Sequence, residues 1–403
     1  MAQKRFWLTL SLLGNLGVLS YFKYGEFAVE NFAAALAMAG IHYEPAPWSI
    51  LLPVGISFYT FQTLSYTLDL FKGRTKPTDS FLDFALFVTF FPQLVAGPIV
   101  RARRFLPQLV AFPTITREQF SWGLILVVVG LFQKVVIADA FMGPIADRFY
   151  AMDGVLPAFT VTVAAFAFII QILCDFSGYS LIAIGIAKCL GFELPENFRA
   201  PYAALGYQDL WQRWHISMSS WFRDYLYAAV RGKSDRSLPN MLRSQMITMT
   251  LIGLWHGAGW NFIAWGFYNG CVLVTEVLLR RVVGHWKIWQ GRVMKVFFIL
   301  LTFCLFTTSG IFFRAESLAQ AGDRFLSYVS APDLVVFPYG WEIALTVGVT
   351  ASVLALHGLM RNQRFEEFVE TVPVPVRVLA LAGMLVAIGM AGGNADAFIY
   401  FQF

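Results

Sequence analysis

The chain has 403 residues, 58% of them hydrophobic, 17% aromatic and only 14% charged, against roughly 25% charged in an average soluble domain. Its mean hydropathy of +0.61 and its apolar segments, recurring from Phe6 to Phe403 with no long polar insert, exclude a soluble module and predict one integral, polytopic membrane domain over residues 1–403. The net charge of +5 is modest and its basic residues cluster at segment ends, in Lys72-Gly73-Arg74, Arg101 to Arg104 and Arg280-Arg281, which fits membrane topology and the lipid bilayer rather than nucleic acid.

Lys4-Arg5 followed by apolar residues from Phe6 to about Phe22 has the make-up of a signal peptide. No small-x-small cleavage site follows, so the reading is an uncleaved first membrane helix with a cytoplasmic amino terminus. Phe27 to about Ile41 is a shorter apolar stretch. Trp48 to Phe71 is a firmer span whose Ser57, Tyr59, Thr60 and Gln62 need partners inside the bundle. The segment from Phe81 to Val100 carries Pro92, Gly97 and Pro98, which break a helix in mid-membrane and suggest a pocket wall. Trp122 to about Met142 is another span, with Lys134 and Asp139 near its polar end.

Phe159 to about Leu190 is long for one crossing. The preferred reading is two short helices meeting at Ser177-Gly178; a single tilted helix carrying Asp175 inward is the alternative. The polar, twice-prolinated run from Gly191 to Tyr202 reads as an interfacial loop. If Trp211 to Tyr227 is helical, Trp211, Trp214, Met218, Trp221, Phe222 and Tyr225 share one face, and a basic, Trp-rich helix of this kind lies at headgroup level. Spans from about Met241 to Trp255 and Trp260 to Leu279 meet near His256-Gly257-Ala258-Gly259. Val296 to Phe313, Trp341 to Leu359 and Val378 to Met390 complete roughly ten crossings, with no repeat of the inverted-transporter kind.

The chemistry gathers in two places. Imidazole, with an ordinary pKa of about 6.5, is the least costly ionisable group to bury and a ready general base. His256 is such a group, and Gly253, Gly257 and Gly259 leave room around it. Equally, His256 can be an interhelical structural residue, with Gly253 and Gly257 as a small-residue packing site. For His215 an interfacial, structural reading is the stronger. Asp175, Arg223 and Asp224 can be ordinary ion-pair partners, while His42, His285 and His357 carry no signal. Cys174, Cys189, Cys271 and Cys304 make no C-x-x-C pair and read as free thiols, and no motif for zinc, nucleotide or serine-hydrolase chemistry occurs.

Trp211 to Tyr227 and Gly253 to Trp265 closely resemble signatures of the membrane-bound O-acyltransferase superfamily, in the bacterial branch of alginate and peptidoglycan O-acetylation proteins and the teichoic-acid D-alanyl transfer protein. Leu52 to Phe58, Gln93 to Pro98, Asp175 to Ser180, Glu196-Asn197-Phe198, Phe312 to Ala315 and the ending Phe398 to Phe403 support it in order along the chain. The resemblance implies transmembrane, re-entrant and interfacial helices around a central tunnel, His256 as catalytic centre and His215 as its second histidine. Trp255, Asn261, Asp175, Ser177, Tyr179, Ser217, Arg223 and Asp224 are then candidate orienting or substrate-binding groups.

A thioester is already activated, so such transfer needs mainly a base for the acceptor and donors for the developing oxyanion. The resemblance implies no bound cofactor or metal and acetyl-CoA as donor. It further implies a bacterial inner-membrane location, a periplasmic acetyltransferase partner and a polysaccharide acceptor. Two departures stand out: Leu181 replaces an acidic residue common after the Phe-Ser-Gly-Tyr-Ser run, and relatives carry further residues before the equivalent of Tyr21 to Tyr24. The alternatives are D-alanyl transfer from an acidic carrier protein docked on the Trp211 to Arg223 surface, and a transporter or noncatalytic scaffold.

Overall fold

The computed structural model describes residues 2–46, 48, 50–110, 114–330 and 339–391. Every regular element among them is helical. The helices are α1 (Ala2–Met38), α2 (Ile56–Phe71), α3 (Phe81–Thr89), α4 (Ala102–Val110), α5 (Arg117–Tyr150), α6 (Ala158–Cys189) and α7 (Tyr207–Trp211). There follow α8 (216–231), α9 (Leu238–His256), α10 (Trp260–Val283), α11 (Arg292–Arg314), α12 (Leu318–Ser330), α13 (Gly340–Met360), α14 (Phe365–Thr371) and α15 (Val374–Ala391). Of the roughly ten expected crossings, six are matched by described helices of spanning length and hydropathy: α5, α6, α10, α11, α13 and α15. The aromatic ending from Phe398 lies outside the described residues.

The two amino-terminal apolar stretches are one helix, α1, rather than two segments. Neither Lys23 nor Glu26 interrupts it, because a polar side chain does not break a helix whose backbone bonds remain intact. Lys23 instead donates to the His256 carbonyl at 2.9 Å and the Tyr24 hydroxyl to the Leu254 carbonyl at 3.0 Å. The next span is shorter than its apolar run: α2 begins only after Gly55, at φ 76°. A Cβ there would lie 2.6 Å from the Leu94 carbonyl oxygen, so glycine alone suits both the turn and the approach.

α6 is a single 32-residue helix, which corrects the preferred break at Ser177-Gly178. Gly178 is a packing residue: a Cβ on it would sit 2.7 Å from the Gly130 carbonyl oxygen of α5, and the same approach recurs between Gly123 and Gly185. Small residues let the two backbones touch, as membrane helices require where no hydrophobic effect drives association. α6 is the hub, with 83% of its most apolar window buried. α5 faces it with a π-helical stretch, Phe132–Met142, which presents Gln133, Lys134 and Asp139.

The segment from Phe81 breaks after Thr89, as its prolines and glycine require, and runs as turns to Val100. The Trp-rich stretch is not one helix. It divides into α7 and α8 at residues 212–215, and Trp214, Met218, Trp221, Phe222 and Tyr225 are all buried in the main core. The apolar face read from the spacing is real, but it meets protein: Trp221 stacks on Phe61 at 4.1 Å and Trp214 packs on Phe306 at 5.0 Å. α9 and α10 form a hairpin whose turn is Gly257 to Gly259.

Candidate active site

His256 is the last residue of α9 and is buried. Its ring is boxed by Trp255 at 4.8 Å, Trp265 at 5.0 Å and Phe313 at 5.2 Å, all edge-on. Gly253 packs against Gly266 of α10, where a Cβ would come within 2.9 Å of the Gly266 backbone, and Gly257 lies under the Phe262 ring. The glycines therefore bring α9 against α10 and leave the imidazole at the hairpin's end.

That end faces space on two sides. One cavity of about 200 Å³ is lined by Lys23, Trp255, His256, Val95 and the Leu52 to Phe58 entry to α2. The other, of about 20 Å³, holds roughly one water and is walled by Phe168, Trp214, His256, Trp265, Phe306 and Phe313, with Ser309 as a polar member. The Val95 wall belongs to the broken segment whose composition suggested a pocket.

His215 lies across Trp255, with ring centroids 6.5 Å apart. It is fully buried, packs edge-on to Phe176 at 4.5 Å and holds a left-handed backbone conformation at φ 43°. That conformation is costly for a residue with a Cβ and persists only when its surroundings impose it. Asn197 imposes it: its carbonyl accepts from the Ile216 amide at 2.9 Å. Its Oδ1 accepts from the Ser217 amide at 3.2 Å and the Ser217 hydroxyl at 2.8 Å, and lies 3.1 Å from His215 Nδ1. The Asn197 amide nitrogen is given to Ser180 Oγ at 3.0 Å, so the bond to His215 is donated by Nδ1–H. Nε2 carries the lone pair, and it has no partner among the described residues.

The other candidates divide between site and scaffold. Trp255 separates the two histidines, and its indole N–H is buried without a partner among the described residues. Ser217 Oγ also accepts from the Ile99 amide at 2.9 Å, tying the broken segment to α8. Asp175 and Ser177 face α5 instead: Asp175 pairs with Lys134 at 2.5 Å and the Ser177 hydroxyl donates to Gln133 Oε1 at 2.6 Å. Tyr179 reaches the backbone of Val95 and Ala96. Asn261 spends its amide on the carbonyls of Ala315 at 2.7 Å and Phe312 at 3.5 Å, bracing α10 against α11.

Arg223 is exposed and bonds Asp224 at 3.0 Å, and Asp224 pairs with Arg101 at 2.7 Å. Although burial opposes it, the Arg223 and Arg101 guanidiniums hold the Asp224 carboxyl below its usual range. Lys72 and Arg101 both sit 5.0 Å from the Tyr225 ring, so this cluster forms a basic rim. A stacked column joins it to the site: Trp221 on Phe61, then Phe61 on Trp255 at 5.0 Å. Sequence reasoning passed over Asn197 as a site residue, although it lies within a quoted motif, and over Lys23.

Comparison with known proteins places the sequence in one lineage. Residues 74–316, more than half of the chain, match the model of the membrane-bound O-acyltransferase family. A protein of Azotobacter vinelandii named "probable alginate O-acetylase" is 39% identical over 328 residues, covering 81% of this chain and 63% of the relative. A peptidoglycan O-acetyltransferase of Helicobacter pylori is 34% identical, covering 79% of this chain and 64% of the relative. A teichoic acid D-alanyltransferase of Bacillus subtilis is 26% identical, covering 65% of this chain and 69% of the relative. The chain thus spans under two thirds of the length of the first two. With the histidine signatures inside the matched region and a multi-pass helical membrane architecture around them, the chain belongs to the membrane-bound O-acyltransferase family.

Proposed function

We propose that this chain is an O-acyltransferase that takes an acetyl group from acetyl-CoA on the cytoplasmic side of the bacterial inner membrane and passes it toward an extracytoplasmic polysaccharide. The observation that carries the reading is the position of His256, a buried imidazole at the end of α9 with a cavity on either side. Family membership and the names of the relatives support it.

His256 takes the proton of the acceptor hydroxyl as the new carbon–oxygen bond forms. The carbon–sulfur bond breaks, and the proton then passes from the imidazolium to the departing thiolate. The aromatic walls keep bulk water from the thioester. The smaller chamber, at about 20 Å³, suits a methyl group better than a longer acyl chain. His215, oriented by Asn197 through Nδ1, supports the site from the far side of Trp255. A periplasmic acetyltransferase is the partner expected to complete delivery.

A second reading, D-alanyl transfer from an acidic phosphopantetheinyl carrier, draws on the basic rim of Lys72, Arg101 and Arg223. The test is transfer of radiolabel from acetyl-CoA to a polysaccharide or partner by purified protein in liposomes. Wild type is expected to transfer, and His256→Ala to lose at least about 100-fold while remaining folded. Transfer of labelled D-alanine from a charged carrier protein, with none of the acetyl label from acetyl-CoA, favours the second reading. Transfer retained by His256→Ala would sink the catalytic assignment.

A further inference from the structure

Among the described residues lining the larger cavity, Lys23 is the one lysine, arginine or carboxylate residue. Its ammonium sits in a half-buried position where no carboxylate of the described residues pairs with it. One of its three protons goes to the His256 carbonyl at 2.9 Å, and the charge lies 5.8 Å from the Trp255 ring centroid. The bond to the last carbonyls of α9 is a favourable place for a cation, but it engages one donor of three. Trp255 adds an independent sign. Its ring lines the same cavity, and its indole N–H, a donor only, is buried without a partner among the described residues. A cation and an unmatched N–H, carried by two residues that line one cavity beside a buried imidazole, call for negative charge arising there, because each is costly to leave unmatched.

We propose that Lys23 and Trp255 form the oxyanion-binding wall of the site, gripping the carbonyl oxygen of the acyl thioester. The inference rests on the acyl-transfer reading above. As the acceptor oxygen bonds to the carbonyl carbon, the electron pair of the C=O bond moves onto that oxygen. When the carbon–sulfur bond breaks, the C=O bond re-forms and the thiolate leaves. The acceptor's proton travels through His256 to sulfur, and Lys23 and Trp255 keep their own protons throughout. Such donors act on charge that develops in the transition state, so their loss should fall on kcat rather than KM.

The experiment compares Lys23→Met, Lys23→Arg, Trp255→Phe, Tyr24→Phe, His256→Ala and wild type in liposomes with acetyl-CoA, alongside thermal unfolding of each. Lys23→Met is expected to lower kcat by about 100-fold or more with little change in KM. Lys23→Arg should restore part of that loss, and Trp255→Phe, which keeps the ring and removes the N–H, should lower kcat in the same way. Tyr24 clasps the neighbouring Leu254 carbonyl at 3.0 Å on the same α1–α9 seam, so Tyr24→Phe reports the clasp alone and should leave kcat near wild type.

Wild-type kcat in Lys23→Met, or a rise in KM with kcat unchanged, overturns the proposal. So does an equal loss in Tyr24→Phe with lowered stability, which would make Lys23 a helix clamp only. If Lys23→Met does not fold, undiminished kcat in Trp255→Phe overturns it. A wild type that transfers while His256→Ala does not leaves the parent reading standing whatever Lys23 does. A silent wild type removes both.

Discussion

At the scale of single residues, Asn197 holds more of the site than its polar but uncharged side chain suggests. One amide orients His215, satisfies Ser217 twice and reaches Ser180, while its backbone carbonyl anchors the turn that gives His215 its positive φ. Asn197→Ala is therefore expected to leave buried donors unmatched, at a cost of about 1–3 kcal/mol. It should also release the His215 tautomer. Thermal unfolding should show the first effect and an acetyl-transfer assay the second, with a loss of kcat beyond what the fraction unfolded explains. Ion-pair reasoning placed Asp175 correctly in kind but not in partner. The sequence shows a costly carboxylate at depth, while Lys134, 41 positions earlier, is recognisable as its mate only once α5 lies against α6.

At the scale of elements, the seam between α5 and α6 depends on small residues. Gly178→Ala should force the helices apart, because its Cβ meets the Gly130 carbonyl oxygen at 2.7 Å and the Lys134 amide nitrogen at 3.1 Å. Overpacking of this kind costs about 1–3 kcal/mol. Gly322→Ala in α12 is the matched control: its Cβ meets nothing within 4 Å, so helix propensity alone predicts no loss, or a gain of up to about 1 kcal/mol. Unfolding temperatures of the two variants in one detergent would separate packing from propensity. The sequence placed Gly178 at a break because glycine interrupts helices in isolation. In a bundle the same missing side chain serves close approach, and period analysis cannot distinguish these uses.

At the scale of the whole molecule, a charged knot fastens the α7 entry to α13. Asp209 accepts from the Leu205 amide at 2.9 Å, Arg213 Nε at 2.6 Å and Arg361 at 2.9 Å. Arg361 also reaches the Ala203 carbonyl, and Glu276 of α10 accepts from the Gln208 amide, both at 2.9 Å. Burial pushes the Asp209 carboxyl up, but the Leu205 amide and the Arg213 and Arg361 charges outweigh it and hold it below its usual range. A carboxylate depressed in the folded state contributes its stability fully above the unfolded value of about 3.9 and loses it as pH falls through the lower folded value. Asp209→Asn should therefore lower the unfolding temperature at pH 7, and the gap to wild type should close in acid. A gap that is independent of pH would mean the carboxylate's charge is not what holds the knot.

Several features of this protein follow from its sequence alone. Composition and apolar run length decide that the chain lives in a membrane, because only helices long enough to cross satisfy their own backbone there. The spans at α5, α10, α11, α13 and α15 are legible because each is a local property of consecutive residues. The two histidines are legible because their motifs are short and contiguous. What only the tertiary structure decided is which groups meet them. The continuity of α1 carries Lys23 to His256 across 233 positions, and the turn at residues 212–215 buries a face whose spacing read as interfacial. Neither was readable from the chain, because amphipathic spacing tells that a face must be covered but not whether lipid or protein covers it.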